Sequence, residues 1–277
     1  MSVANATSDT GYEAWLRYGR LPERLADALA GWCRRIVMPE RDGLFRTARR
    51  ELESALEALT GVRPAFAEAP GDDADAADMS DGKRTLVAAT AERSAALGLM
   101  SGEEAGAMHA DGFVIRTVRR EDRRTLLIAG GSARGLLYGV FHFLRLAAIG
   151  RLDERTAASL DIAERPRNPL RMINHWDNMD GSIERGYAGK SIFYRNGQFV
   201  SDKTRIRDYA RLLASIGINA LTINNVNVHE TETKLITDEL LPEAAAVADI
   251  FREYGIRIMI SINFAAPIQA GGLPTAD

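Results

Sequence analysis

Phe45, Ala48, Leu52, Leu56 and Leu59 recur at helical spacing, and Arg49, Arg50, Glu51 and Glu53 fill the other face. The spacing predicts a helix, which Gly61 and Pro64 stop. Three short, β-rich apolar runs follow, at residues 86–90, 113–118 and 125–129. Each is bounded by glycine or charged residues, and each predicts a strand. The third runs through Gly130, Gly131 and Ser132 into a helix whose apolar face is Leu136, Leu137, Val140, Phe141 and Leu144.

The rhythm changes after Glu164-Arg165-Pro166-Arg167-Asn168-Pro169. Two prolines this close favour extended chain and mark a boundary, with domains expected at 1–165 and 166–277. Beyond it, residues 170–176 predict a strand. Ile206, Tyr209, Leu213 and Ile216 then form a helical stripe ending at Gly217. Residues 218–224 predict a second strand. Val247, Ile250, Phe251 and Tyr254 form another stripe, ending at Gly255, and residues 256–263 predict a third strand. Strand and helix in alternation, with glycine closing each helix, predict a parallel sheet.

Composition narrows the function class. The 277 residues are 46% hydrophobic, which excludes disorder for the bulk of the chain and gives length enough for about two domains. Thirty-five Lys and Arg against 38 Asp and Glu leave a net charge of -3. That balance offers no electrostatic reason to bind nucleic acid or an anionic membrane. No apolar run reaches the ~18 residues of a membrane span. The opening residues MSVANATSDTGYEAW lack a basic and then an apolar region. No signal peptide is read there, so the expected location is cytoplasmic, with extracellular as the alternative. Cys33 is the single cysteine, which excludes a disulfide framework and a cysteine-based zinc site. It reads as a small core residue.

Several motifs dissolve on inspection. GDDADAADMSDG, residues 71–82, is acidic, but its spacing is not that of a calcium loop, and it reads as a solvated loop. GGSARG at the start of the second predicted helix fits neither phosphate-binding glycine pattern. It reads as a tight turn needing positive φ, with Ser132 as the N-cap. His142 in that helix reads as a packed or half-exposed histidine. His229-Glu230-Thr231-Glu232-Thr233-Lys234 lacks the second histidine of a zinc motif and reads as a polar loop.

The strand ends carry more. The first finishes Asn174-His175-Trp176-Asp177-Asn178, the second Asn224-Asn225-Val226-Asn227, and the third holds Ser261 and Asn263. In parallel α/β folds, ligands sit at the carboxyl ends of strands. Asparagine offers donors and acceptors to sugar hydroxyls, and a tryptophan face suits the C–H face of a pyranose. A carbohydrate pocket is therefore expected, against the plainer alternative of loop capping by asparagine around a structural tryptophan. His175 and Asp177 alternate around Trp176 and are expected to face together, away from it, as an isolated pair. Without a serine or cysteine partner they make no triad.

RMINHWDNMDGSIERGYAGKSIF, residues 171–193, resembles the first barrel strand and following loop of α-glucuronidases, glycoside hydrolase family 67. Residues 208–237 and 254–277 continue the likeness. Upstream, ARGLLYGVFHFLRL and YEAWLRY resemble the family's N-terminal domain and opening residues. The resemblance implies an N-terminal α/β, hexosaminidase-like domain. It implies that the first strands and helices of a (β/α)8 barrel follow, the barrel being incomplete within this chain. The implied reaction is inverting hydrolysis of glucuronic acid, or its 4-O-methyl ether, α-1,2-linked to xylo-oligosaccharides in xylan breakdown. It implies no metal or organic cofactor, glucuronosyl xylo-oligosaccharides as partners, and admits a homodimer for the full-length form.

Trp176 matches the family tryptophan that packs on the uronic acid, and Val226 the apolar residue near its O4 substituent. Asn178, Asn225 and Asn227 join them by proximity as substrate-binding candidates. No catalytic residue is expected here, because the family's acid and base carboxylates lie on later strands, beyond Asp277. Asp180 and Glu184 are not candidates for that role. The isolated chain is expected to be inactive, with a non-catalytic fragment of at most weak sugar binding as the alternative. A hexosaminidase-like hydrolase is a further alternative, which the HWDN and NNVN strand ends argue against.

Overall fold

In a computed structural model, which describes residues 12, 16–41, 43–69, 84–121, 123–272 and 274, the chain falls into two units, Met1–Pro166 and Arg167–Asp277. The acidic segment 71–82 lies outside the described residues.

The first unit is built from α1 (Glu23–Cys33), β1 (Arg35–Val37), α2 (Leu44–Thr60), β2 (Ala65–Ala67), β3 (Arg84–Thr90), α3 (Ala91–Ala96), α4 (Gly102–Ala107), β4 (Phe113–Arg120), β5 (Arg123–Gly130), α5 (Ala133–Ala148), α6 (Glu154–Ala157) and β6 (Asp161–Glu164). Its six strands pair in the order β2-β1-β3-β5-β4-β6. The first four are parallel, while β4 runs antiparallel to both β5 and β6. Leu86, Val87, Ala88 and Ala89 of β3 are all buried, as a parallel strand covered on both faces requires. One face carries α5, which packs on β3, β5 and α2. On the other, Val37, Val87, Ala89, Leu127 and Ala129 are covered by Leu97, Leu99 and Met100.

Helix α2 follows the predicted stripe and ends on Gly61, whose φ of 69° is left-handed. Glu51, expected on its polar face, is instead buried. The reason is that α2 packs against both α1 and α5, so its buried arc is wider than one stripe. Cys33 is buried, and burial pushes its thiol far up, consistent with an inert core residue. Strand β1 lies between β2 and β3, yet three residues are too few for a periodic signal.

The turn before α5 corrects one expectation. Ser132 is the N-cap, accepting from the backbone N–H of Arg134 and Gly135. Gly130 and Gly131, however, are not at positive φ. They are needed for close approach: a Cβ on Gly131 would stand 2.1 Å from the His109 carbonyl, and one on Gly130 2.0 Å from the Leu136 nitrogen. His142 is half-buried against the Phe113 ring, and burial lowers its pKa, with the Arg145 charge adding to the shift.

The second unit comprises β7 (Met172–Asn174), the hairpin β8 (Tyr194–Arg195) and β9 (Gln198–Phe199), α7 (Thr204–Ser215), β10 (Ala220–Thr222), α8 (Glu230–Thr233), a 3-10 turn at Lys234–Ile236, α9 (Leu241–Arg252), β11 (Arg257–Met259) and α10 (Ala266–Gly271). Strands β7, β10 and β11 form a parallel sheet with β10 in the middle. Helix α7 connects the first pair and α9 the second. Of the stripe expected on α7, Ile206 and Leu213 are buried and Tyr209 is half-buried, but Ile216 caps the helix and is exposed, and Ala210 joins the buried face instead. On α9, Val247, Ile250 and Phe251 are buried, as is Tyr254 just beyond it. Each fully buried aliphatic or aromatic side chain is worth about 1.5–3 kcal/mol. Gly217 and Gly255 follow the helices at φ 80° and 73°, a conformation that a Cβ would strain. The chain is thus mixed α/β with parallel sheets.

Each parallel strand pairs over three residues, fewer than its apolar run suggests. The polar tails leave the ladder because side chains take over their backbone groups. Thr222 Oγ1 accepts the His175 N–H at 2.9 Å, and Asn224 Oδ1 accepts the Ser261 N–H at 2.9 Å.

Candidate functional site

The register of β7 against β10 sets Asn174 beside Thr222, so Trp176 and Val226 lie just past the same end of adjacent parallel strands. Both are exposed, Trp176 at 36% and Val226 at 46%. Neither side chain is therefore part of the core. Asn227 is exposed next to Val226.

Asn178 and Asn225 stand differently. Both are buried, and the Asn225 side-chain amide donates to Asn178 Oδ1 at 3.0 Å. Asn178 Nδ2 donates to Ser182 Oγ at 2.9 Å and to the Glu184 carbonyl at 2.8 Å. Asn225 Oδ1 accepts the Asn227 N–H, and the Asn225 N–H goes to the Asp177 carbonyl. These two asparagines therefore hold the strand ends together behind the exposed residues. Asn224 does the same toward β11, giving to and taking from the Ser261 backbone, while Asn263 Nδ2 donates to the Val228 carbonyl.

The segment after Trp176 folds back on it. Glu184 donates its N–H to the Trp176 carbonyl at 2.8 Å, with its own φ at 57°. Asp180 takes the Ser182 N–H and hydroxyl, which hold its carboxyl below the usual range. Asp180 and Glu184 thus shape a turn.

His175 and Asp177 do face together, but they are not isolated. His175 Nδ1 lies 3.0 Å from Asp177 Oδ2, and Nε2 lies 2.8 Å from the Tyr209 hydroxyl. Burial and the Asp177 charge push Tyr209 up to about 12, so its phenol keeps the proton. The rings of Phe193 and Tyr209 meet His175 edge-on at 5.2 and 5.4 Å. This chain fixes the strand segment on which Trp176 stands.

Two further buried groups escape sequence reasoning. Glu232, in the stretch read as a polar loop, is 4% exposed, and its Oε1 accepts the Met179 N–H at 3.0 Å. Tyr194 is buried on the β8–β9 hairpin. Neither has a sequence signal, since a glutamate among threonines and a tyrosine in a loop read as surface. Phe264, just past the third strand, is 95% exposed. Among the described residues no group of three or more His, Cys, Asp or Glu is arranged to hold a metal ion.

Comparison with known proteins places both units. The model of the glycosyl hydrolase family 67 N-terminus matches residues 14–143, and that of the family 67 middle domain residues 152–277. The protein named Probable alpha-glucuronidase A of Aspergillus terreus is 38% identical over 98% of this chain and 30% of its own length. Alpha-glucuronidase A of Emericella nidulans is 35% identical over 98% of this chain, again 30% of its own. The chain spans about 30% of the length of these curated relatives. A solved family GH115 4-O-methyl-alpha-glucuronidase, with specificity for decorated arabinogalactans, superposes with a TM-score of 0.54. It is 15% identical and is matched over 87% of this chain and 31% of its own, a likeness of fold alone.

Proposed function

Because the chain belongs to glycosyl hydrolase family 67, we propose that it forms the N-terminal domain and the opening βα units of a (β/α)8 barrel in an α-glucuronidase. On this reading the substrate is glucuronic acid, or its 4-O-methyl ether, α-1,2-linked to xylo-oligosaccharides. The bond is cut with inversion, by one carboxylic acid and one carboxylate base.

The observation that carries the proposal is the exposed Trp176 and Val226 at one end of two adjacent parallel strands, braced from behind by Asn178 and Asn225. Trp176 would take the apolar face of the uronic acid and Val226 its O4 side, with the exposed Asn227 offering hydrogen bonds. Asn178 and Asn225 act by holding the walls in place. The carboxylates at hand do not suit acid–base work on that sugar. Asp177 and Glu232 are buried, and Asp180 is bonded to Ser182. The reading therefore assigns sugar binding, not bond cleavage, to these residues.

Titrating the chain with glucuronic acid while following the Trp176 indole N–H resonance tests this. The signal is expected to move with glucuronic acid and its 4-O-methyl ether, and to stay still with xylose. A signal indifferent to all three would reject the pocket.

A further inference from the structure

Three buried polar atoms of the second unit have no hydrogen-bond partner among the described residues: Asp177 Oδ1, Tyr194 OH and Glu232 Oε2. Their residues are only 1%, 1% and 4% exposed. Buried polar groups left this way are costly, so each calls for an account.

The three belong to one place. Glu232 Oε1 holds the Met179 N–H, two residues along from Asp177. Gly197, in the turn that joins Tyr194 to Phe199, donates to the Met179 carbonyl at 2.8 Å. A Cβ on Gly181 would stand 3.2 Å from the Tyr194 carbonyl, so the hairpin lies against the same loop. The charges of Asp177 and Glu232 both reach the Tyr194 phenol. Together with burial they push its pKa up, so it keeps a hydrogen to give.

The inventory is one O–H donor and two carboxylate acceptors, none bonded to another. A water molecule complements it. It accepts the Tyr194 hydrogen and donates one of its own to each carboxylate, which makes three hydrogen bonds, the usual number for a buried water. We infer that Asp177, Tyr194 and Glu232 enclose a site for one structural water, and that this hydrated junction ties the loop carrying Trp176 to the loop carrying Val226. Asp177 follows Trp176, and Glu232 sits on α8 beyond Val226. The functional half rests on the sugar-pocket reading; the water site does not.

The test has a structural and a solution arm. A high-resolution crystal structure of the chain should show a density peak within hydrogen-bond reach of all three oxygens. Its absence would overturn the site. Melting temperatures in sodium chloride and choline chloride should agree, and a sodium-specific rise would replace the water with a cation and overturn the assignment. Tyr194→Phe, which removes one hydroxyl and little packing, should shift the Trp176 indole resonance in sugar-free protein. It should also weaken glucuronic acid binding roughly three- to tenfold, the equivalent of about one net hydrogen bond. An unmoved indole would sink the tie between the loops. A density peak in the wild-type protein and an indole shift in Tyr194→Phe, with no glucuronic acid binding by the wild type, would reject the sugar pocket and leave the water site standing.

Discussion

Asn225 donates from its side-chain amide to the side-chain oxygen of Asn178 at 3.0 Å, across the ends of two parallel strands. Asn178 commits its own amide nitrogen to Ser182 and Glu184, and the Asn225 oxygen caps the Asn227 N–H. Asn225→Leu keeps the volume roughly but strands Asn178 Oδ1 and the Asn227 N–H. A buried polar group left unsatisfied costs about 1–3 kcal/mol. Urea denaturation should therefore show a loss in that range, with glucuronic acid affinity falling in step as the walls loosen. Wild-type stability in this variant would mean the pair holds nothing.

Trp176 is more than one-third exposed, whereas Phe193 behind His175 is fully buried. The two substitutions should separate binding from packing. Trp176→Ala is expected to cost about 1–3 kcal/mol of glucuronic acid binding through lost apolar contact, with a modest change in melting temperature. Phe193→Ala should cost about 3–5 kcal/mol of stability. If Trp176→Ala melts as low as Phe193→Ala while binding sugar normally per folded molecule, the tryptophan is core and not platform.

What the sequence made legible follows from periodicity. The stripes of α2, α5, α7 and α9 and the apolar runs of β3, β4 and β5 are long enough to repeat, and the structure has each of these elements, though Ile216 at the end of the α7 stripe is exposed. Strands β1 and β2 are three residues long and have no period to detect. At the candidate site, the pairing of His175 with Asp177 was visible, because it is local. Tyr209, Tyr194 and Glu232 were not, because they reach the site from α7, a hairpin and α8. Asparagine is ambiguous for a chemical reason. The donors and acceptors that suit a sugar hydroxyl suit a backbone equally, and at Asn178 and Asn225 the protein itself takes them.

The glycines before α5 give a prediction in the first unit. A Cβ on Gly131 would lie 2.1 Å from the backbone oxygen of His109, which no rotamer change relieves. Gly131→Ala should thus destabilise by well over the ~1 kcal/mol scale of an ordinary glycine change. Gly102, at the start of α4, has open space around it, and Gly102→Ala should leave stability within about 0.5 kcal/mol. Equal stability of the two variants in urea would remove the close approach as the reason for Gly131.

Asp177 and Glu232 are buried, and Asp180 is spent on Ser182. Incubated with a glucuronosyl xylo-oligosaccharide, the 277-residue chain is expected to release no glucuronic acid. Acid–base assistance is worth ~10²–10⁴ in rate, and these groups are not placed to supply it. Release by homogeneous protein, abolished in Asp177→Asn or Glu232→Gln, would make those residues catalytic and overturn their assignment as structural.

Tyr209 gives the site an alkaline signature. Its folded-state pKa, pushed to about 12 by burial and the Asp177 charge, lies above the ~10 of an unfolded tyrosine. Below about pH 10 both states hold the proton, and the contribution to stability is fully present. Between about pH 10 and 12 the unfolded chain gives up its proton first, so stability falls as pH rises through that window. Tyr194 is shifted in the same direction and steepens the fall. In Tyr209→Phe the hydrogen bond to His175 is lost at every pH, which lowers the whole curve by a constant. The alkaline limb should become shallower as well, since one of the buried late-ionising tyrosines is gone. Urea unfolding from about pH 8 to 12 reads both effects separately. Wild-type and variant curves that run parallel through the window would show that Tyr209 ionises as freely as in the unfolded chain, and the chain of hydrogen bonds behind Trp176 would lose its outer member.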